Sequence, residues 1–179
     1  MAEEKRKFPS EVVDLPSKGL LYPKGHPLAG GTIEIKYMTA KEEDILTSRN
    51  LIQKGIVLDK LMESVIIQDG VTLDDLLLGD KNAIMIATRI LGYGKDYTVE
   101  IVDPNSGEKQ KETFDLTKLE DKVLDSKLYK KGENSFDFEL PASKVSLTFK
   151  LLTHKDEKEI DVELKALRKF TKQSGVTNE

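Results

Sequence analysis

The chain has 179 residues, 38% hydrophobic and 34% charged, with a formal net charge of −4 and no cysteine. That length holds one domain with a real core, or two small ones. The composition excludes disulfides, thiolate catalysis and cysteine zinc sites, and the negative charge argues against a general nucleic-acid binder. No apolar run approaches the roughly 18 residues that a membrane span needs. The opening "MAEEKRKFPS" is charged and has no apolar h-region, so no secretory leader is expected.

Residues 1–31 read as an extended docking arm. Pro16, Pro23 and Pro27 alternate with Gly19, Gly25, Gly30 and Gly31, which makes a series of turns rather than a helix. Leu15, Leu20, Leu21 and Tyr22 are apolar residues in this otherwise polar arm, and they need a surface to cover. They are the candidate partner-binding residues. Two coverings stay open, a neighbouring protein or the chain's own domain.

Residues 32–95 read as a strand followed by a helical cluster. "TIEIKYM" alternates Ile33, Ile35 and Tyr37 with polar neighbours, which predicts a strand with one buried face. Thr39 and Glu42 stand in capping-box relation and open a helix that Gly55 stops. A second helix follows in "VLDKLMESVIIQ", carried by Leu58, Leu61, Met62, Val65 and Ile66, and "TLDDLLLGD" reads as one turn capped by Thr72. Asp80 is placed as the N-cap of "GDKNAIMIATRILGYG", a helix apolar nearly all round and therefore expected in a core. Arg89 is its one charged interior residue and needs a carboxylate or carbonyl partner.

"ILGYGKDYTVE" ends that helix with Gly92, Gly94 and Lys95. A phosphate-binding P-loop requires G-x-x-x-x-G-K-[ST] after a strand and before a helix. Here Arg89 replaces the first glycine, Asp96 follows the lysine, and the helix comes first. The favoured reading is structural: Gly92 closes the helix in the left-handed conformation and Gly94 permits the turn. A nucleotide- or phosphate-binding loop at Gly92, Gly94 and Lys95 is the alternative.

Residues 96–152 read as antiparallel β structure. "DYTVEIVD" and "KQKETFDL" flank the turn formers Asn105, Ser106 and Gly107, and "SFDFEL" and "VSLTFKLL" flank Pro141, Ala142 and Ser143. Between the hairpins, a broken helix is expected from Lys118 to Tyr129, ending at Gly132. Residues 153–179 are a C-terminal helix with a frayed end: Thr153 caps it, and Ile160, Leu164, Leu167 and Phe170 form its apolar stripe. The two histidines, His26 and His154, stand in no metal-ligand spacing and read as exposed polar residues. No metal, cofactor or nucleophile–base pair is expected, and no enzyme. The fold class is α+β: arm, helical cluster, antiparallel hairpins and closing helix.

The stretches "DLPSKGLLYP", "YMTAKEEDILTSRNLIQKGIVLDKLMESVI" and "LLLGDKNAIMIATRILGYGKDYTV" together resemble, in that order, the T4-type bacteriophage baseplate hub subunit family. The resemblance covers most of residues 14–100. It implies a non-catalytic component of the contractile tail's central hub, or a chaperone of its assembly, that contacts other hub or tail proteins. It also implies a place in the host bacterial cytoplasm during assembly and in the virion's tail baseplate, with no nucleic acid, membrane or small-molecule substrate. Relatives carry cysteines in the hairpin matching "DPNSGEK", where this chain has Asp103, Asn105, Ser106 and Glu108, so their metal knuckle is not carried over. Relatives also run longer, with further helical segments after the point matching Glu179.

Overall fold

The computed structural model describes residues 8–122, 125, 127 and 129–174. It is an α+β fold whose strands, among the described residues, form three separate two-stranded antiparallel sheets. Strand β1 (Ser10–Asp14) pairs with β2 (Thr32–Lys36), with Ser10 opposite Lys36 and Asp14 opposite Thr32. Much of the segment read as a docking arm is therefore extended chain docked on its own domain. Between the strands the chain crosses itself at Gly19 and Gly31, both at positive φ. A Cβ on Gly19 would stand 2.6 Å from the Gly31 nitrogen, a distance that only glycine permits.

Ile33 and Ile35 of β2 face inward, as their alternation requires, and meet Leu15, Leu28, Met62, Leu76 and Ile84 in the core. Thr39 starts α1 (Ala40–Thr47) through the expected capping box: its N–H and Oγ1 donate to Glu42 Oε2 at 2.9 and 2.6 Å. The single helix expected up to Gly55 is broken at Ser48, whose extended ψ of 106° starts a separate α2 (Arg49–Lys54). Thr47 Oγ1 turns back to the Glu43 carbonyl at 2.9 Å, the local competition that lets a Thr-Ser pair interrupt a helix. Helix α3 (Val57–Val65) buries Leu61, Met62 and Val65, while Leu58 stays exposed. Thr72 and Asp75 cap a 3-10 turn over Leu73–Asp75, the turn read from sequence.

Helix α4 (Leu78–Tyr93) begins two residues before Asp80, with Leu77 as its cap. Only Asp80, Ile84 and Thr88 are fully buried, so this helix is less enclosed than its apolar sequence predicts. The second sheet, β3 (Asp96–Val102) with β4 (Lys109–Asp115), and the third, β5 (Phe136–Glu139) with β6 (Ser146–Phe149), are the expected hairpins. No long helix from Lys118 forms: a 3-10 turn ends there and residues 119–122 are irregular. Residues 123, 124, 126 and 128 of that expected helix lie outside the described set. Helix α5 (His154–Ser174) is capped as expected, Thr153 N–H reaching Asp156 Oδ2 at 2.9 Å.

Candidate interaction surface

The site is built on a clasp that ties the N-terminal segment to α4. Ser17 N–H donates to Asp80 Oδ1 at 3.0 Å, and the Ser17 and Tyr22 hydroxyls each donate to Oδ2 at 2.7 Å. Tyr22 Oη in turn accepts the Leu77 N–H at 3.1 Å. All of these side chains are buried, and burial together with the Asp80 carboxylate pushes the Tyr22 phenol up, so it stays a donor. Asp80 is thus not the helix cap that its position suggests: its carboxylate is turned to Ser17 and Tyr22 instead of its own helix's first amides. Of the arm's apolar residues, Leu15, Leu21 and Tyr22 lie in the chain's own core and Leu20 is half-buried. The surface they need is supplied by the chain itself.

Beside the clasp opens a cleft of about 540 Å³ between the N-terminal segment, the start of α4 and the β6–α5 link. Leu20, Leu21, Leu77 and Leu78 line one side, Tyr129, Leu151 and Leu152 the other, and Lys122 and Lys150 also border it. Main-chain bonds hold its walls together: Leu78 N–H to the Leu152 carbonyl at 3.0 Å and His154 N–H to the Leu76 carbonyl at 2.9 Å.

The cleft continues onto the third sheet. Opposite residues of an antiparallel pair share a face, so the pairs Phe136–Phe149 and Phe138–Leu147 make one face of β5–β6 wholly apolar. The Phe136 ring stacks on Phe149 at 5.4 Å and meets Tyr129 edge-on at 5.8 Å, which joins this face to the cleft wall. Phe138, Leu147 and Phe149 keep 51%, 44% and 52% of their surface, and Leu151 and Leu152 are also exposed. A continuous apolar surface of this kind marks a contact site. The signal for it lay in the period-two patterns of "SFDFEL" and "VSLTFKLL", which place the apolar residues on one face but do not say that the face is uncovered.

The glycine-lysine loop has a different geometry. Gly92 lies inside α4, packed so close to the end of the Met38 side chain that a Cβ would collide with it. Gly94, at φ 82° and ψ 173°, ends the helix in its place. Arg89 is half-buried rather than buried. It donates to the Gly94 carbonyl at 3.0 Å and lies over the Tyr93 and Tyr97 rings at 5.0 and 5.7 Å. Lys95 Nζ pairs with Asp115 Oδ2 at 2.9 Å. The loop sits at a helix C-terminus, the negative end of the dipole, which disfavours phosphate.

Both histidines are engaged in structure. His26 Nδ1 accepts the Leu28 N–H at 3.2 Å and its ring stacks on Tyr22. His154, read as exposed, is only 3% exposed: the bridge between Leu77 and Thr153 turns the first residue of α5 inward. Its Nδ1 lies 3.1 Å from Lys81 Nζ, and its Nε2 lies 3.5 Å from Asp59 Oδ2. At the β3–β4 tip, Asp103 Oδ1 accepts from the Asn105 and Ser106 amides at 2.7 and 3.2 Å, which holds that carboxyl below its usual range. That carboxylate is used by the turn.

The family described as T4 bacteriophage base plate protein matches residues 10–174, nearly the whole chain. The chain belongs to that family. No curated protein and no solved structure matches it. As a base plate protein it is associated with the phage tail and interacts with other tail or base plate proteins. Among the described residues, no helix of this base plate protein is long and apolar enough to cross a membrane.

Proposed function

We propose that this base plate protein is a non-enzymatic component of the contractile tail's central hub, incorporated there or chaperoning its assembly, and that it acts by protein contacts alone. The observation that carries the proposal is the continuous apolar surface formed by the cleft and the Phe138, Leu147 and Phe149 face. Its cleft walls are tied to one another by the Leu78–Leu152 and His154–Leu76 main-chain bonds and by the buried clasp, and exposed apolar side chains continue from them onto the β5–β6 face. The partner is another hub or tail protein, met in the host cytoplasm before the tail is complete. The engagement of Lys95 by Asp115 and of Arg89 by the Gly94 carbonyl supports contact rather than chemistry at the glycine-lysine loop.

The test is capture of tail proteins by the tagged chain from phage-producing cells, comparing wild type with a Phe138→Asp, Leu147→Asp double variant. Both residues are exposed, so the variant should keep its circular dichroism while losing the captured tail proteins. Capture of the same proteins in the same yield by the variant would remove this surface from the account.

A further inference from the structure

The third sheet has two edges, and they differ. An antiparallel ladder uses every second residue of each strand, and the residues between turn their main-chain groups outward. Contacts at both ends of β6 fix which residues these are. The Val145 carbonyl accepts the Leu140 N–H at 2.9 Å, and the Asn134 side chain takes both the Leu151 N–H, at 2.9 Å, and the Leu151 carbonyl, at 2.8 Å. Residues 145, 147, 149 and 151 therefore face β5 or its extension, while Ser146, Thr148 and Lys150 turn their N–H and carbonyl groups away from it. Leu152 keeps the same phase: its carbonyl accepts the Leu78 N–H from the far side.

That far side is unfinished. The bridge between Leu77 and Thr153 is isolated, because α4 begins at Leu78 and leads the chain away. The cleft is the space so left, with Leu77, Leu78 and Gly79 on one side and Lys150, Leu151 and Leu152 on the other. Among the described residues no strand pairs with the outer edge of β6, and residues 146–152 are all exposed. The outer edge of β5 carries Asp137 and Glu139 at the corresponding positions, charges of the kind that guard an edge, whereas β6 has Ser146 and Thr148. A two-stranded sheet alone is marginal in water, and a third strand on β6 would complete both the ladder and the apolar face.

Resting on the contact reading given above, we infer that the partner enters as an extended segment of another tail protein, which adds a strand to the outer edge of β6 with one end in the cleft. Main-chain bonds to residues 146, 148 and 150 supply the affinity, and alternate apolar side chains of the segment continue the Leu147–Phe149 face. Charge adds a requirement. Lys144 and Lys150 already meet Glu139 and Asp156, but Lys122 on the cleft rim meets no acid among the described residues. The segment therefore carries an acidic side chain at its cleft end. The β6 of a second copy does not supply one, since residues 144–152 hold two bases and no acid.

Overlapping short synthetic peptides covering the phage's other tail proteins are the probe, with binding to the full-length chain read by fluorescence anisotropy. An acidic peptide of alternating polarity should bind. In hydrogen exchange it should slow the Ser146, Thr148 and Lys150 amides and leave those of Leu147 and Phe149, already paired to β5, as they were. Thr148→Pro removes an outward N–H that β5 does not use, so it should keep its circular dichroism and weaken the peptide about tenfold. Thr148→Val keeps that N–H and should bind as wild type, which separates the main chain from the hydroxyl bonded to Asp137. The exchange pattern needs no variant, so a misfolded Thr148→Pro leaves the test in force. No binding peptide, a bound peptide that is helical, unchanged exchange at the three amides, or a folded Thr148→Pro that binds as wild type would each overturn the inference. So would a wild-type dimer with those amides protected in the absence of peptide, which would assign the edge to a second copy. Whole tail proteins captured equally by wild type and Thr148→Pro, but lost by the Phe138→Asp, Leu147→Asp variant, would sink the added strand and leave the contact surface standing.

Discussion

At the scale of single residues, the most consequential side chain is Glu42. It is fully buried, and Lys36 Nζ, itself 6% exposed, donates to its Oε1 at 2.7 Å, with Ser64 on the same oxygen and Thr39 on the other. Burial works to raise this carboxyl, but the bonds from Lys36, Ser64 and Thr39 outweigh it and hold it down to about 2. Glu42→Ala leaves Lys36 as a buried unpaired cation and should cost about 3–5 kcal/mol in urea unfolding. A folded-state value below the unfolded one means that the carboxylate stabilises the fold above the ordinary carboxylate range, and that this contribution fades as pH falls towards 2. Urea midpoints between pH 5 and 2.5 should therefore fall more steeply for wild type than for Glu42→Gln, and equal slopes would contradict the assignment. Tyr22→Phe strands the buried Leu77 N–H and removes one donor from Asp80, so it should cost about 1–3 kcal/mol by the same measurement. The sequence revealed the Thr39–Glu42 box because its members are three residues apart. It did not reveal the roles of Asp80 and His154, because Tyr22 lies 58 residues from Asp80 and Lys81 lies 73 residues from His154.

At the scale of elements, strands β2 to β6 and both well-capped helices were legible because alternation and caps are local signals, whereas β1 was read only as part of an extended arm. The hairpin pairs 96–102 with 109–115 and 136–139 with 146–149 lie where their patterns and turn residues put them. The break at Ser48 and the start of α4 at Leu78 were not legible. The first depends on a Thr47 hydroxyl competing for a carbonyl, and the second on a distant segment claiming the Asp80 carboxylate. The end of α4 separates two readings of the glycine-lysine loop. Gly94 occupies a region that residues with a Cβ avoid, so Gly94→Ala should destabilise by about 1–3 kcal/mol. Lys95→Ala removes only an exposed ion pair and should leave the unfolding midpoint nearly unchanged, with no loss of any nucleotide or phosphate affinity. A phosphate affinity that vanished with Lys95→Ala, measured by calorimetry, would restore the alternative.

At the scale of the whole molecule, a small core carries surfaces it does not cover. The β1–β2 sheet, α3 and the first half of α4 close around Leu15, Ile33, Met62 and Ile84. The β5–β6 face and much of α5 then project with apolar side chains exposed. In water such surfaces favour association, and in a base plate protein the partners are other chains of the tail. The sequence left two coverings open for the arm's apolar residues, a partner or the chain's own domain; Leu15, Leu21 and Tyr22 pack in that domain's core, while Leu20 and Leu21 also line the cleft. The most direct test is quantitative mass spectrometry of the tagged chain and its companions in two fractions of phage-producing cells, free extract and finished particles. The protein should be found with hub proteins in the extract; its presence in particles as well would mark a resident subunit, and its absence there an assembly factor. Recovery free of every tail protein in both fractions would contradict a role built on contact.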